Sequence, residues 1–260
     1  MRERHVLLEG CLNLRDLGGY ETVDGRRVRF GCLFRSDELH ALTDADLEAV
    51  SALGIRVVFD LRNVDERDAR PNRLPPGVEV LERATPSTGG DTRTTEQQIV
   101  QGLLPTPDNV QFAGVYIRLL DVLAPELRVI IERSADARTR PLLFHCAAGK
   151  DRTGITAAVL LGLLGVPDEA ILDDYELTSM YFTPRKLESL AARMAEYGIS
   201  HERLRPLLEA RRPVLAAMIE HLYDRWGSFD AYARRHVGLG TDVVARLRRE
   251  LLIDRRDRGG

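Results

Sequence analysis

At 260 residues, 44% hydrophobic and 30% charged, the chain has the size and composition of one large globular domain or two small ones, which excludes disordered, collagen-like and membrane-spanning classes. A formal net charge of −3 offers no basic footprint for nucleic acid. Three scattered cysteines, Cys11, Cys32 and Cys146, form neither a disulfide framework nor a CxxC pair, and each reads as a lone thiol.

Met1 to Gly10 lacks the apolar centre of a signal peptide, so the chain reads as cytoplasmic. The first motif, NLRDLGG (Asn13 to Gly19), is a glycine-terminated turn with Arg15 and Asp16 placed to pair, a brace for a site, and Arg35 and Asp37 read the same way. Apolar runs at Val28 to Phe34, Ile55 to Phe59, Val78 to Leu81 and Leu142 to Phe144 predict buried strands. Between the first two, Thr43 with Asp46 opens a helix ending near Gly54. A helical pattern from Asn109 to Arg133 is interrupted by Pro125, which should kink or split it. Beyond Gly149 every segment reads helical: Thr153 to Leu164, Asp168 to Leu177, Pro184 to Tyr197, His201 to Ala210, Pro213 to Trp226, Phe229 to His236 and Asp242 to Leu251. The longest nearly uncharged stretch, Ile155 to Val166, falls far short of the roughly 20 apolar residues that span a bilayer, so no integral membrane segment is expected.

Strands alternating with helices, then a helical final third, predict an α/β fold: a central, largely parallel sheet flanked by helices, with a helical C-terminal extension or lid. No Pro/Gly-rich linker divides the chain, so residues 1–260 read as a single domain with the lid or extension within about 168–240. A second candidate lid is the polar, turn-rich segment Arg83 to Asn109, which reads equally as a mobile active-site flank or a plain surface loop.

The informative segment is PLLFHCAAGKDRTG, Pro141 to Gly154: strand, tight loop, helix. Five residues separate Cys146 from Arg152, enough for the loop amides of Ala147, Ala148 and Gly149 to surround one phosphate. The helix adds its orphan N-terminal amides and the positive end of its dipole. Arg152 supplies a bidentate fork that lysine cannot copy. A thiol attacks only as thiolate, and amides, dipole, Arg152 and the Thr153 hydroxyl together are what would hold Cys146 in that form. Competing phosphate and hydrolase motifs fail: Asp151 follows Lys150 where a Walker loop needs Ser or Thr, and no GxGxxG or GxSxG occurs.

Two carboxylates compete as general acid. Asp151 lies inside the cradle, where a carboxylate is repelled by phosphate unless it holds a proton, as a general acid would. Asp60 ends the Ile55 to Phe59 run, so in a parallel sheet it reaches the carboxyl edge where ligands bind, with Arg62 beside it. Asp151 is preferred slightly, and Asp60 reads equally well as a brace. His145, preceding the nucleophile on its strand, should point away from Cys146 and bond the loop. His5, His40, His201, His221 and His236 show no ligand spacing. Of 37 basic residues only Lys150 and Lys186 are lysine, so Lys150 in the cradle marks a wanted point charge.

HCAAGKDRTG resembles the HCxxGxxR(S/T)G signature of cysteine-dependent protein tyrosine phosphatases, and the Lys150-Asp151 pair makes it similar to their atypical bacterial branch. NLRDLGG, LFRSDEL (Leu33 to Leu39), FDLRNVDE (Phe59 to Glu66) and DYELTSMY (Asp174 to Tyr181) resemble that branch in the same order. The resemblance implies a phosphatase-like α/β fold, a phosphocysteine intermediate and no metal or cofactor. Its implied partners are phosphorylated proteins or phosphoinositides, with phosphotyrosine and phosphoserine/threonine both open, and it puts head-group contact on Lys150. It also leaves leaderless secretion open. Substrate-binding residues are then Ala147, Ala148, Gly149, Lys150 and Arg62. A phosphate-binding pseudophosphatase and an arsenate- or sulfur-handling cysteine enzyme are the alternatives; the latter calls for a resolving cysteine near Cys146. Nothing in the sequence indicates an oligomeric state.

Overall fold

A computed structural model describes residues 3–83, 108–196 and 200–254. Its five-stranded sheet is built from β1 (Arg15–Asp16), β3 (Leu33–Ser36), β4 (Val57–Asp60), β5 (Glu79–Glu82) and β6 (Leu142–His145), in the order β1-β3-β6-β4-β5. β3, β6, β4 and β5 are parallel, and β1 closes one edge antiparallel to β3. The largely parallel sheet expected from the alternation of elements is therefore present.

Alternation along β3, β4 and β6 gives the centre of the sheet two covered faces, whereas β5, expected to be buried, is a largely exposed edge strand. Leu33, Val57, Phe59, Leu142 and Phe144 enter the larger core, while Phe34, Val58 and Leu143 enter a second core with Leu42 and Val50. Successive strand side chains point to opposite faces, so runs that are apolar throughout fit only a sheet buried on both sides. The second face is covered by α1 (Asp44–Ala52), whose capping box from Thr43 to Asp46 forms as expected.

The run at 28–34 is not one strand. β2 (Arg27–Val28) pairs with a short strand near the C-terminus, β7 (Leu252–Ile253), and β3 begins only at Leu33. Gly31 between them adopts φ +71°, and its amide donates to Asp16 Oδ2 at 2.7 Å, so the chain turns where periodicity alone reads straight on. The expected Arg15–Asp16 pair is also absent. Neighbours on a strand face opposite ways: Arg15 reaches Asp174, while Asp16 binds the amides of Gly18 and Gly31.

After β4 comes α2 (Val64–Ala69). Of the 83–109 segment, residues 84–107 lie outside the described residues. The next helical pattern divides as Pro125 requires, into α3 (Asn109–Val122) and α4 (Ala124–Ser134), with the proline in the first turn of α4. β6 then leads through the cysteine loop into α5 (Asp151–Leu163), buried on nearly every side. The helical third comprises α6 (Asp168–Tyr181), α7 (Thr183–Glu196), α8 (His201–Leu208), α9 (Arg212–Trp226), α10 (Phe229–Arg235) and α11 (Thr241–Leu251). α6 and α9 to α11 join the larger core, whereas α7 and α8 form a small core of their own from Phe182, Leu187, Leu190, Leu204, Leu207 and Leu208. Leu12, Phe112 and Ala148 pack against that small core. Among the described residues no helix is long and apolar enough to cross a membrane.

Candidate active site

Ser36, Asp60 and His145 are in register at the carboxyl ends of three neighbouring parallel strands. The loop that leaves β6 there begins with Cys146, which is 2% exposed. Its carbonyls are tied outward one after another. Ala147 O accepts from the Glu38 amide at 3.2 Å, Ala148 O from Asn13 Nδ2 at 3.2 Å, and Gly149 O from Arg35 Nη2 at 2.7 Å. Across a trans peptide the N–H points opposite to the C=O, so the amides of Ala148, Gly149 and Lys150 turn to the inner side of the loop. Gly149, at φ +63°, sits where a Cβ would lie 2.5 Å from Ser36 O, so only glycine lets the loop rest on the end of β3. Amides turned inward in succession form a nest suited to an anion.

The helix begins at Asp151, two residues earlier than its apolar pattern, which places Asp151 and Arg152 in its first turn. Lys150 at the N-cap makes no side-chain cap bond. Thr153 is fully buried and its Oγ1 has no hydrogen-bond partner among the described residues.

Arg152 is held by a residue that sequence reasoning did not single out. Its Nη1 and Nη2 donate to Glu66 Oε2 and Oε1 at 2.7 and 2.9 Å, and Nη1 also reaches Leu61 O at 3.0 Å. Glu66 is fixed in turn by the capping box of α2, accepting from the Asn63 amide at 2.8 Å. Burial opposes the charge on each partner, but the fork overcomes it: Glu66 is held below the usual carboxylate range and Arg152 is driven further up. Glu66 occupies the end-on edge of the guanidinium. The Nε–H and the remaining Nη2–H form the side edge, which makes no protein bond among the described residues.

Asp60 and Arg62 lie beside the loop but are committed to each other. Asp60, 1% exposed, accepts from the Arg62 amide at 3.0 Å, from Arg62 Nη2 at 2.7 Å and from Asn72 Nδ2 at 2.8 Å. Burial raises its proton affinity, yet these donors win and hold it down at about 2. Arg62, expected to face substrate, is fully buried, with Nη1 on Arg70 O and Nη2 shared between Asp60 and Asn72. Its fork is spent because an unpaired guanidinium beside a buried Asp60 would leave both charges uncompensated. His145 behaves as expected: Nδ1 lies 3.2 Å from Cys146 O and the ring faces Asp60 at 3.7 Å. Burial lowers its pKa to about 4 against the pull of Asp60, so the ring is neutral at pH 7.

Asp151 is partly exposed, and its Oδ1 accepts from Tyr116 OH at 2.7 Å. Lys150 departs from expectation. The residue is 4% exposed, and its ammonium donates to Leu207 O at 2.5 Å, stands 3.5 Å from Asp151 Oδ1 and lies over the Phe112 ring, so α8 covers the group that was assigned to a head group.

Four further residues brace the loop: Asn13, Arg35, Asp37 and Asp174. Asp174 binds Arg15 Nε at 3.1 Å, Arg35 Nη1 at 2.6 Å and Tyr20 OH at 3.0 Å. Burial penalises its charge, and the two arginines still hold it far below the usual range. Asp37 receives the Cys11 thiol at 2.8 Å and the amides of Leu12 and Asn13. Apart from Tyr116, which carried no sequence signal, these residues fall inside the four stretches that accompany the signature motif. Arg35 and Asp37 are read as braces from the sequence, while nothing in the stretches distinguishes Asn13 or Asp174.

The sequence matches the profile described as the tyrosine phosphatase family over residues 6–253. A Cupriavidus necator protein, provisionally named a tyrosine-protein phosphatase, is 34% identical over 89% of this chain and 84% of its own. The triple specificity protein phosphatase PtpB of Mycobacterium tuberculosis is 29% identical over 94% of this chain and 98% of its own. Among solved structures, that of P. aeruginosa TpbA aligns at 18% identity over 70% of this chain and 89% of that one, with a TM-score of 0.32.

Proposed function

The chain belongs to the tyrosine phosphatase family and is a phosphatase, and from that premise we propose that it cleaves phosphomonoesters through a phosphocysteine formed at Cys146. The observation that carries this reading is the outward tethering of the Ala147, Ala148 and Gly149 carbonyls. It costs the protein three dedicated donors and is useful only if the opposite amides have an anion to hold.

In the first step Cys146 Sγ attacks phosphorus and the P–O bond to the leaving group breaks. The side edge of Arg152 and the loop amides hold the equatorial oxygens. Asp151 gives its proton to the leaving oxygen and becomes a carboxylate. In the second step Asp151 takes a proton from water as that water attacks phosphorus, and the sulfur departs with the Thr153 hydroxyl as its hydrogen-bond donor. Splitting the displacement exchanges one high barrier for two lower ones. Asp60 serves this scheme as a brace, since a carboxylate at about 2 with three donor groups has no proton to give near neutrality. Arg62 positions Asp60. Lys150, seated on Leu207, ties α8 to the loop and acts on substrate only when that helix lifts.

α7 and α8 act as the lid: their small core rests on Ala148 of the loop and on Phe112. We place the whole of residues 1–260 in one catalytic domain with this lid. Phosphotyrosine is the first substrate class. Phosphoserine/threonine and phosphoinositides follow, in keeping with the triple specificity in the name of the mycobacterial relative. The arsenate- or sulfur-handling alternative is disfavoured by the positions of the other thiols. Cys11 is bound to Asp37, and Cys32 precedes β3 at the opposite end of the strands, five residues along the register and so on the order of 17 Å from Cys146 at about 3.3 Å per residue.

Replacement Cys146→Ser tests the mechanism: turnover of para-nitrophenyl phosphate should vanish while vanadate still binds the intact loop. Retention of more than about one per cent of kcat would sink the phosphocysteine. A phosphopeptide and phosphoinositide panel on the wild type then orders the substrate classes.

A further inference from the structure

Two buried tyrosines meet Asp151, the proton donor of that scheme, and have no part in it so far. Tyr116 on α3 and Tyr175 on α6 are each 1% exposed, with rings edge to face at 6.1 Å between centroids. Their hydroxyl oxygens are 2.5 Å apart, and Tyr116 OH is 2.7 Å from Asp151 Oδ1. A phenol has one proton. Because Tyr116 spends its proton on Asp151, Tyr175 must be the donor between the two, and the chain runs Tyr175 to Tyr116 to Asp151 in one direction. Gly154 makes the approach possible, since a Cβ there would stand 3.0 Å from the Tyr175 ring. Burial pushes both phenols far above their ordinary range, and the charge that Asp151 carries once its proton has left pushes the same way, so both remain donors.

We propose that Tyr116, itself held by Tyr175, is the positioning residue of the proton donor: its bond to Oδ1 keeps the transferable proton of Asp151 on Oδ2 and supports the carboxylate left after transfer. This rests on the assignment of Asp151 as general acid. In a carboxylic acid the oxygen that accepts a strong hydrogen bond is the carbonyl oxygen, so the proton resides on the other. As that proton moves to the leaving oxygen, charge grows on Asp151 and the Tyr116 bond strengthens, because hydrogen bonds to charged acceptors are roughly twice as strong as neutral ones. The interaction therefore favours the transition state over the ground state. Its donor is fixed in place, because the Tyr116 side chain is itself buried.

The consequence is selective. Tyr116→Phe keeps the ring and removes only the donor, so kcat for an alkyl phosphate should fall about tenfold, with KM unchanged and a several-fold smaller loss on para-nitrophenyl phosphate, whose leaving group needs little protonation. Asp151→Asn should show the same divergence, and the double variant should lose nothing beyond Asp151→Asn alone. Tyr175→Phe should reproduce the pattern at smaller size, with melting temperatures reporting the fold of every variant. Equal losses on both substrates, or additive losses in the double variant, would overturn the positioning role while leaving Asp151 as the acid. Absence of divergence in Asp151→Asn itself would overturn the acid assignment and the tyrosine role together.

Discussion

Arg152 shows how one residue acquires its role from another far along the chain. A guanidinium offers two bidentate edges, and Glu66 takes one so that the other is held still. Arg152→Lys keeps the charge but loses the planar fork, and should lower kcat/KM by about 3 kcal/mol, the range for loss of a preorganised donor. Glu66→Gln leaves Arg152 intact but frees it to rotate. A loss of about 1.5–3 kcal/mol in kcat/KM is expected from the broken charge-assisted bond, with the fold preserved by circular dichroism. Unchanged kinetics in Glu66→Gln would mean the fork needs no anchor. The two aspartates separate in the same manner. Asp60→Asn should slow alkyl and aryl phosphates in equal proportion and lower the melting temperature, since it loosens Arg62 and Asn72. A leaving-group dependence at Asp60 would reverse the assignment.

At the level of elements, the loop works because β3 and β6 end together. The carbonyl of Ser36 forms the floor on which Gly149 rests. Gly149→Ala would force a left-handed backbone on alanine and drive its Cβ into that carbonyl, a strain of order 1–3 kcal/mol. Vanadate affinity and melting temperature should both drop; unaltered vanadate binding would show that the loop amides are not what holds the anion. The lid makes a different demand. α7 and α8 share few apolar contacts with the main core, so they open at a cost well below global unfolding. Leu204, 1% exposed, is central to that small core. Leu204→Ala removes about 2–5 kcal/mol of packing, so kcat/KM on a phosphoprotein should rise relative to wild type. The global melt should shift little, and a lower kcat/KM would argue that the helices help to form the site.

For the whole molecule, acid is the weak direction. His145 takes up a proton near 6.5 when unfolded but only at about 4 when folded. Between those values the unfolded chain binds more protons, so stability declines as pH falls from about 6.5 to 4, by about 3 kcal/mol in all. Asp60, at about 2 folded against roughly 3.9 unfolded, extends the loss below pH 4 with the same sign. Urea unfolding from pH 7 to 4 measures it, and His145→Gln should flatten the curve; a stability that rose on acidification would refute the buried neutral ring. The surface ion pairs add little to this balance. Arg212 meets Glu169, Asp173 and Glu176, all at least 30% exposed, where solvent screens such pairs to about 0–1 kcal/mol each.

What can be read from the chain alone is what is local. Cys146 through Thr153 occupy one strand, loop and helix, and their spacing suffices to define an anion cradle because its geometry is set within a single covalent stretch. The parallel sheet was legible for the same reason: continuous apolar runs alternate with helices along the chain. Glu66 meets Arg152 across 86 residues, Tyr116 meets Asp151 across 35, and Arg35 reaches Gly149 across 114. Many acids, tyrosines and arginines compete for such contacts, and packing of the two sheet faces chooses among them. The turn at Gly31, the commitment of Arg62 to Asp60 and the burial of Lys150 beneath α8 belong to the same class. For Gly31 and Lys150 the partner comes from another segment, Asp16 and Leu207, and for Arg62 it is the near neighbour Asp60 that takes the fork; in each, a polar group's need for a partner does not name the residue that meets it.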